Sequence, residues 1–285
     1  MTWRTVIVRE RAKLDYSLNF MTVRKEAEMR KISLSEIYMV IVESTAVSLT
    51  AVLLNELVKN KIKVVFCDEK RTPSSELLPY YGSHDTSLKY KYQLDWTEEC
   101  KQRVWTRIVY EKIFNQMLLL KKLNKDEYKL LEQYLNEIEW NDNSNREGHA
   151  AKVYFNALFG LDFSRNKECF VNAALDYGYS IILSAFNREI ISCGYFTQLG
   201  LCHKNPFNKF NLASDFMEPF RILVDEEVYN LEQSEFSKEH KNILINILNK
   251  TVTIDDKQQT VANAIKIYCR SLFTGLKEED LEYIK

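Results

Sequence analysis

Glycine and proline are scarce in this 285-residue chain, with seven and four in all. Their scarcity excludes collagen-like repeats and long glycine-rich loops. It also favours helices, because these two residues punctuate all-β chains more often. Cysteine is thin too: six, at 67, 100, 169, 193, 202 and 269, with no Cys-x-x-Cys pair. Scattered thiols predict a cytoplasmic protein with reduced cysteines, and Met1-Thr2-Trp3-Arg4 leads into a strand pattern where a signal peptide would start. Cys202 adjoins His203, but Cys193 and Cys169 lack the spacing of a zinc site. There is no uninterrupted apolar stretch of about 18 residues to span a bilayer. Walker A loops, G-x-S-x-G elbows and H-E-x-x-H are all missing. Nor is there a surplus of either charge, the net being −1, so any nucleic-acid binding requires a local basic surface.

What is present describes a globular protein. Hydrophobic residues make up 46% and charged residues 28%, enough for a core, and the length favours two domains. Residues 1–84 read as a small β-rich domain with one helix. Thr5 to Val8 is a short apolar run, and Leu14, Tyr16, Leu18 and Phe20 alternate like one half-buried strand. Ile37 to Val42 is continuously apolar and β-branched, as in a strand covered on both faces. Leu49, Val52, Leu53 and Leu57 have helical spacing, Val64 to Phe66 returns to strand, and Pro73 and Pro79 close the region.

Residues 85–95 are polar and turn-rich and read as a linker. From 96 to 285 helices dominate, so the predicted class is α+β, a β-rich first domain followed by a larger all-helical second one. Asp95 to Glu98 has capping-box spacing and opens a long helix. A second helix spans about 126–138, and Ser144-x-x-Glu147 has capping-box spacing before a third that ends near Gly160. Val171 to Ser192 is apolar almost all round, a buried helix. A helix from about Leu212 to Leu231 contains Pro219, which removes a donor and predicts a kink. A strand-like piece at 251–254 and a helix at about 261–272 complete the chain.

The chemistry-bearing stretch is Gly200-Leu201-Cys202-His203, followed by Asp215-Phe216-Met217-Glu218-Pro219-Phe220-Arg221. Asp215 and Glu218 are three residues apart, close to one helical turn, so both project from one face with Asp225. An imidazole with carboxylates suits a cation of the Mn²⁺ or Mg²⁺ type. The ordinary alternative is a solvated acidic face favoured by the helix dipole. His203 sits in a loop with Lys204, Lys209, Phe207 and Phe210, residue types that hold phosphates and stack bases. Glu147 is explained equally by a helix cap, and spacing does not choose it over Glu139 or Glu168. Basic clusters occur at Arg9-Arg11-Lys13, Arg24-Lys25 with Arg30-Lys31, Lys59-Lys61-Lys63 and Lys121-Lys122-Lys125.

Taken together, Asn145 to Phe155 (Asn-Arg-Glu-Gly-His-Ala-Ala-Lys-Val-Tyr-Phe), Asn172 to Tyr179, Gly200 to His203 and Asp215 to Arg221 resemble the CRISPR-associated integrase family over essentially the whole chain. Ser-Asn-Arg-Glu-Gly-His-Ala-Ala and Pro-Tyr-Tyr-Gly-Ser-His-Asp look like its type II branch. The resemblance implies metal ligands at Glu147, His203 and Glu218, with Asp215 as an auxiliary acid of the catalytic set. Many members have Asp and a glycine-rich loop where this chain has Glu218 and Lys204 to Asn211, and the longer carboxylate still reaches a cation. It further implies Mg²⁺ or Mn²⁺, a homodimer joined through the first domain, and a small second core adaptation protein. Two such dimers would flank the small-partner dimer and hold double-stranded DNA. The type II effector nuclease and an accessory adaptor would help select that DNA. The implied reaction joins 3′-hydroxyl ends of a spacer precursor to the CRISPR repeat. Two other readings of the residues are a metal-dependent repair nuclease on branched DNA and a non-enzymatic DNA-binding scaffold.

Overall fold

The computed structural model describes residues 4–26, 28–80, 82–232 and 235–285. The lead-in at Met1 to Trp3 and Tyr81 of the Pro-Tyr-Tyr-Gly-Ser-His-Asp stretch lie outside the described residues. The chain divides into two compact units, Met1–His84 and Asp85–Lys285.

The first unit holds β1 (Arg4–Val8), β2 (Ala12–Ser17), β3 (Phe20–Arg24), β4 (Met29–Ser33), β5 (Ile37–Val42), β6 (Val47–Leu49), α1 (Ala51–Lys59), β7 (Lys63–Cys67) and β8 (Pro73–Leu77). They form two four-stranded sheets, ordered β1-β5-β7-β8 and β4-β3-β2-β6. β5 runs parallel to β1 and β7 and is buried at every position, as its unbroken apolar run requires. Leu14 and Met21 of the second sheet, Val40 and Val42 of β5, and Leu53 and Leu57 of α1 share one core. The side chain of Thr50 caps α1 by accepting from Leu53 N.

Two expectations change here. The alternation from Leu14 to Phe20 is two strands, because Leu18 and Asn19 both adopt positive φ (48° and 66°) and turn the β2–β3 hairpin. Leu18, at 85% exposed, continued the apolar pattern without being part of the face. Pro73 does not close the region; it starts β8, an edge strand antiparallel to β7, where a missing donor is tolerated.

The second unit begins with α2 (Thr86–Asp95), so the expected linker over 85–95 is a helix. Then come α3 (Glu98–Lys122), α4 (Tyr128–Asn136), α5 (Arg146–Phe159), α6 (Phe170–Ser192), α7 (Asn211–Phe216), α8 (Ile222–Asn230) and α9 (Lys238–Asn246). β9 (Thr251–Ile254) and β10 (Lys257–Thr260) pair as an antiparallel hairpin before α10 (Val261–Glu278), so the unit is mainly but not wholly helical. The cap of α3 is Thr97, whose side chain accepts from Cys100 N at 3.1 Å, two residues beyond the expected box. Acids in its first turn and lysines in its last complement the helix dipole.

α6 is buried on most sides, matching its apolar sequence. At Gly178 it meets α8 so closely that a Cβ would lie 2.3 Å from Val224 Cγ1. The expected kink at Pro219 is a full break. α7 ends at Phe216, a 3₁₀ turn covers Glu218–Phe220, and α8 restarts at Ile222. Asn115 of α3 donates to the Pro219 carbonyl at 3.0 Å, satisfying backbone that the break frees.

Candidate active site

The acidic face of the α7–α8 segment is not solvated. Asp215 is 0% exposed, Glu218 4% and Asp225 1%. A buried carboxylate demands compensation, and each of the three has its own.

Asp215 holds the loop before α7. Its Oδ2 accepts from the main-chain N–H groups of Leu201 (2.6 Å) and Cys202 (3.1 Å). Its Oδ1 accepts from His203 N at 3.3 Å and from the His203 ring at Nδ1. The carboxylate is an obligate acceptor, so Nδ1 carries the proton and Nε2 is the free ring nitrogen. The Asp215 contact raises the His203 pKa above its ordinary value, against burial. Gly200 lets the loop close: a Cβ there would meet the His203 carbonyl oxygen at 2.5 Å and Asp215 Oδ2 at 2.7 Å. Trp105 of α3 packs with the imidazole at 84°, ring centroids 5.9 Å apart.

Glu218 and Glu147 share one cation. Lys112, inside α3, places its Nζ 2.5 Å from Glu147 Oε1 and 2.5 Å from Glu218 Oε2. Arg221 Nε donates to the other Glu218 oxygen at 2.9 Å. Burial alone would raise the Glu218 pKa; Lys112 and Arg221 outweigh it and hold it at about 2. Burial likewise works against charge on Lys112, and the two carboxylates keep its pKa above the usual value. The cap expected at Ser144 and Glu147 is not formed. Asp142 accepts from Arg146 N (2.8 Å) and Glu147 N (3.1 Å), while Ser144 Oγ donates to the Glu137 carbonyl. Asp142 therefore does the capping, and the Glu147 side chain points at Lys112.

Asp225 lies one layer behind. Tyr154 OH donates to its Oδ2 at 2.9 Å and Tyr179 OH to its Oδ1. Burial lifts its pKa to about 6 despite both hydroxyl donors. The Arg221 guanidinium lies 4.7 Å from the Tyr179 ring centroid, which links Asp225's hydroxyl donor to the Glu218 partner.

Of the four residues singled out in the sequence, the structure pairs His203 with Asp215 and joins Glu147 to Glu218 through Lys112. Among the described residues, no three His, Cys, Asp or Glu side chains come close enough to hold a metal ion. The donor set still fits one. Two carboxylates already converge on a cationic nitrogen, and the His203 imidazole, held by Asp215 at Nδ1, would add a nitrogen donor through Nε2 to make an O,O,N set suited to Mn²⁺ or Mg²⁺. Lys112 was not singled out from the sequence, while Arg221 and Asp225 appeared there only within the motif and on the acidic face, with no role given. A signal for Lys112 existed: it sits four residues after Ile108 in the apolar register of α3, where a solvated lysine does not belong.

Several residues of the basic runs are occupied locally: Lys122 pairs with Glu226, Lys59 with Glu56 and Arg24 with Asp15. No disulfide joins the described cysteines, and Cys202 is exposed. No described helix is long and apolar enough to cross a membrane.

The chain is similar to known proteins. Residues 5–251 match the family described as CRISPR associated protein Cas1. The chain is 32% identical to the CRISPR-associated endonuclease Cas1 of Neisseria meningitidis serogroup C (strain 8013), covering all of this chain and 96% of that one. Two solved structures share the fold. One is a casposase bound to integration product (TM-score 0.77, 19% identity, 98% of this chain and 92% of that one). The other is a Cas6-RT-Cas1–Cas2 complex (TM-score 0.76, 18% identity, 99% of this chain and 36% of that one). The chain belongs to the Cas1 family of CRISPR-associated proteins.

Proposed function

We propose that this protein is a metal-dependent DNA integrase of CRISPR adaptation, acting in the cytoplasm, with Glu147, His203 and Glu218 as ligands of Mg²⁺ or Mn²⁺. The observation that carries the reading is the pairing of half-buried Glu147 with buried Glu218 on one cation, near an imidazole oriented by Asp215. An acidic pair kept only for structure would be a poor solution, since buried ion pairs contribute little net stability.

The reaction is a transesterification. A 3′-hydroxyl of the spacer-precursor duplex forms a new phosphodiester in the CRISPR repeat, and the repeat's own phosphodiester breaks. One such bond replaces another, so no ATP is needed. A bound divalent cation would supply charge stabilisation at the reacting phosphate and lower the pKa of the attacking hydroxyl. Asp215 keeps the His203 proton on Nδ1 and so leaves Nε2 as a ligand. Arg221 orients Glu218 from its far oxygen, and Asp142 fixes the first turn of α5 from which Glu147 reaches in. Lys204 and Lys209, in the His203 loop, supply cationic contacts to DNA phosphates.

The same reading assigns the first unit to dimerisation and partner contact, and the second to metal and DNA. The partner is the small second core adaptation protein, in keeping with the Cas1–Cas2 assembly that shares this fold. The type II effector nuclease and accessory adaptor remain those implied by the sequence. Hydrolysis of DNA by water at the same site is the second reading, favoured by the endonuclease name of the Neisseria relative.

Strand transfer separates the two. Purified protein with its small partner, Mn²⁺ and a repeat-bearing plasmid is expected to give joined products, where a nuclease alone gives cut products only. Glu147→Ala and His203→Ala are expected to lower joining by about 10³-fold or more while retaining DNA binding. Full joining by either variant would sink the assignment.

A further inference from the structure

We propose that Lys112 is a resident counter-cation that occupies the divalent metal's place between Glu147 and Glu218, so that metal loading is an exchange of one cation for another. This rests on reading those two glutamates as metal ligands.

Lys112 is an unusual lysine. It lies inside α3, its side chain is 10% exposed, and its ammonium sits 2.5 Å from one oxygen of each glutamate. An ammonium so placed is stable only when paired, and two carboxylates brought together without a cation repel each other. Each group therefore supports the other when no metal is bound. Glu218 Oε2 meets the Lys112 ammonium and no other donor, so departure of the ammonium leaves that oxygen free to ligate.

A Mg²⁺-type ion binds oxygen ligands at roughly 2.0–2.1 Å. The nitrogen of Lys112 already stands at 2.5 Å from an oxygen of each glutamate that would hold such an ion. Two cations do not fit one notch of that size in a low-dielectric setting, where their repulsion is strong. The metal enters as the ammonium leaves. Lysine suits this role because its head is a compact charge on a flexible four-carbon stem and can swing aside while the stem stays on α3. Arginine at 221 contacts the outer Glu218 oxygen instead and stays in place to orient the carboxylate. No bond forms or breaks in the exchange, and Lys112 leaves with its proton.

The exchange makes Lys112 a positioning residue that weakens the metal site in return for keeping the metal-free protein folded. Its removal should tighten metal binding, an effect that mere structural damage does not produce. The test is titration of Mn²⁺ into the full chain, followed by electron paramagnetic resonance of the free ion. The panel is wild type, Lys112→Met, Lys112→Gln and Glu147→Ala, with melting curves with and without Mn²⁺. Both Lys112 variants are expected to bind Mn²⁺ about tenfold tighter or more, the scale of one charge-assisted contact. Without metal they should melt below wild type, and Mn²⁺ should raise their melting temperature by more than it raises that of wild type.

If Glu147→Ala loses Mn²⁺ binding while both Lys112 variants bind no tighter than wild type, the exchange is overturned and the metal site stands. If Glu147→Ala binds like wild type, the metal-site reading fails and takes the proposal with it. Should Lys112→Met and Lys112→Gln fold only in Mn²⁺ and not in NaCl of equal ionic strength, the proposal is supported. Failure of both to fold even in Mn²⁺ overturns it.

Discussion

Asp215 binds His203 twice, through the imidazole Nδ1 and through the His203 main-chain N–H at 3.3 Å. A single buried carboxylate thus sets both the position of the loop and the tautomer of its functional ring. Two further N–H groups, from Leu201 and Cys202, close the loop around the same side chain.

Asp215→Asn is expected to separate these roles from simple bulk. The amide replaces one acceptor oxygen by a donor that faces N–H groups, so at least one buried contact becomes repulsive. A stability loss of about 2–4 kcal/mol should appear in urea unfolding. Nδ1 loses its carboxylate, so the His203 pKa should fall toward its ordinary value when followed by NMR.

Gly200→Ala tests the close approach. The added methyl would stand 2.5 Å from a backbone oxygen and 2.7 Å from Asp215 Oδ2, and neither neighbour is the loose end of a flexible chain. About 1–3 kcal/mol of destabilisation is expected, with a larger proportional fall in strand transfer because the loop carrying His203 must shift. Wild-type joining by a correctly folded variant would show that the loop geometry does not matter to the reaction.

Asp225 gives a pH signature. Its folded pKa of about 6 lies above that of an unfolded aspartate, so the native state binds more protons than the unfolded state between about pH 4 and 6. Stability therefore falls as pH rises through that window, by an amount on the order of 2–3 kcal/mol. Asp225→Asn, which stays neutral, should remove that fall in melting experiments. Glu218 acts oppositely in metal-free protein. Its pKa of about 2 is depressed, so its contribution is present above the ordinary glutamate pKa and is lost as pH drops toward 2.

Gln93 tests the fate of residues 85–95. Its buried amide donates to the Phe196 and Leu199 carbonyls (2.9 and 3.2 Å) and accepts from Phe196 N at 2.8 Å. Gln93→Ala strips three backbone groups of their partner, and a loss of about 2–3 kcal/mol is expected in urea unfolding. A free linker would show no effect at all. Hydrogen exchange over α2 should slow in wild type to match its helical hydrogen bonding.

By itself the sequence determined the elements whose pattern is local. Ile37 to Val42 had to be a covered strand and Val171 to Ser192 a buried helix, because a continuous apolar run has no solvated face. Pro219 had to disturb its helix, since it brings no N–H, although the sequence pointed to a kink and the structure has a break. Residue wording also pointed to the family, and with it to Glu147, which spacing alone had left as a cap.

What only the tertiary structure decided is which charges share a site. Asp215, Glu218 and Asp225 look alike on a helical wheel, yet one holds a loop and a histidine, one meets Lys112 and Arg221, and one takes two tyrosine hydroxyls. Lys112 is 35 residues from Glu147 and 106 from Glu218, so no local pattern could couple the three. The coupling comes from burial: desolvated charges must find partners wherever the packed helices bring them, and chain distance does not enter that requirement.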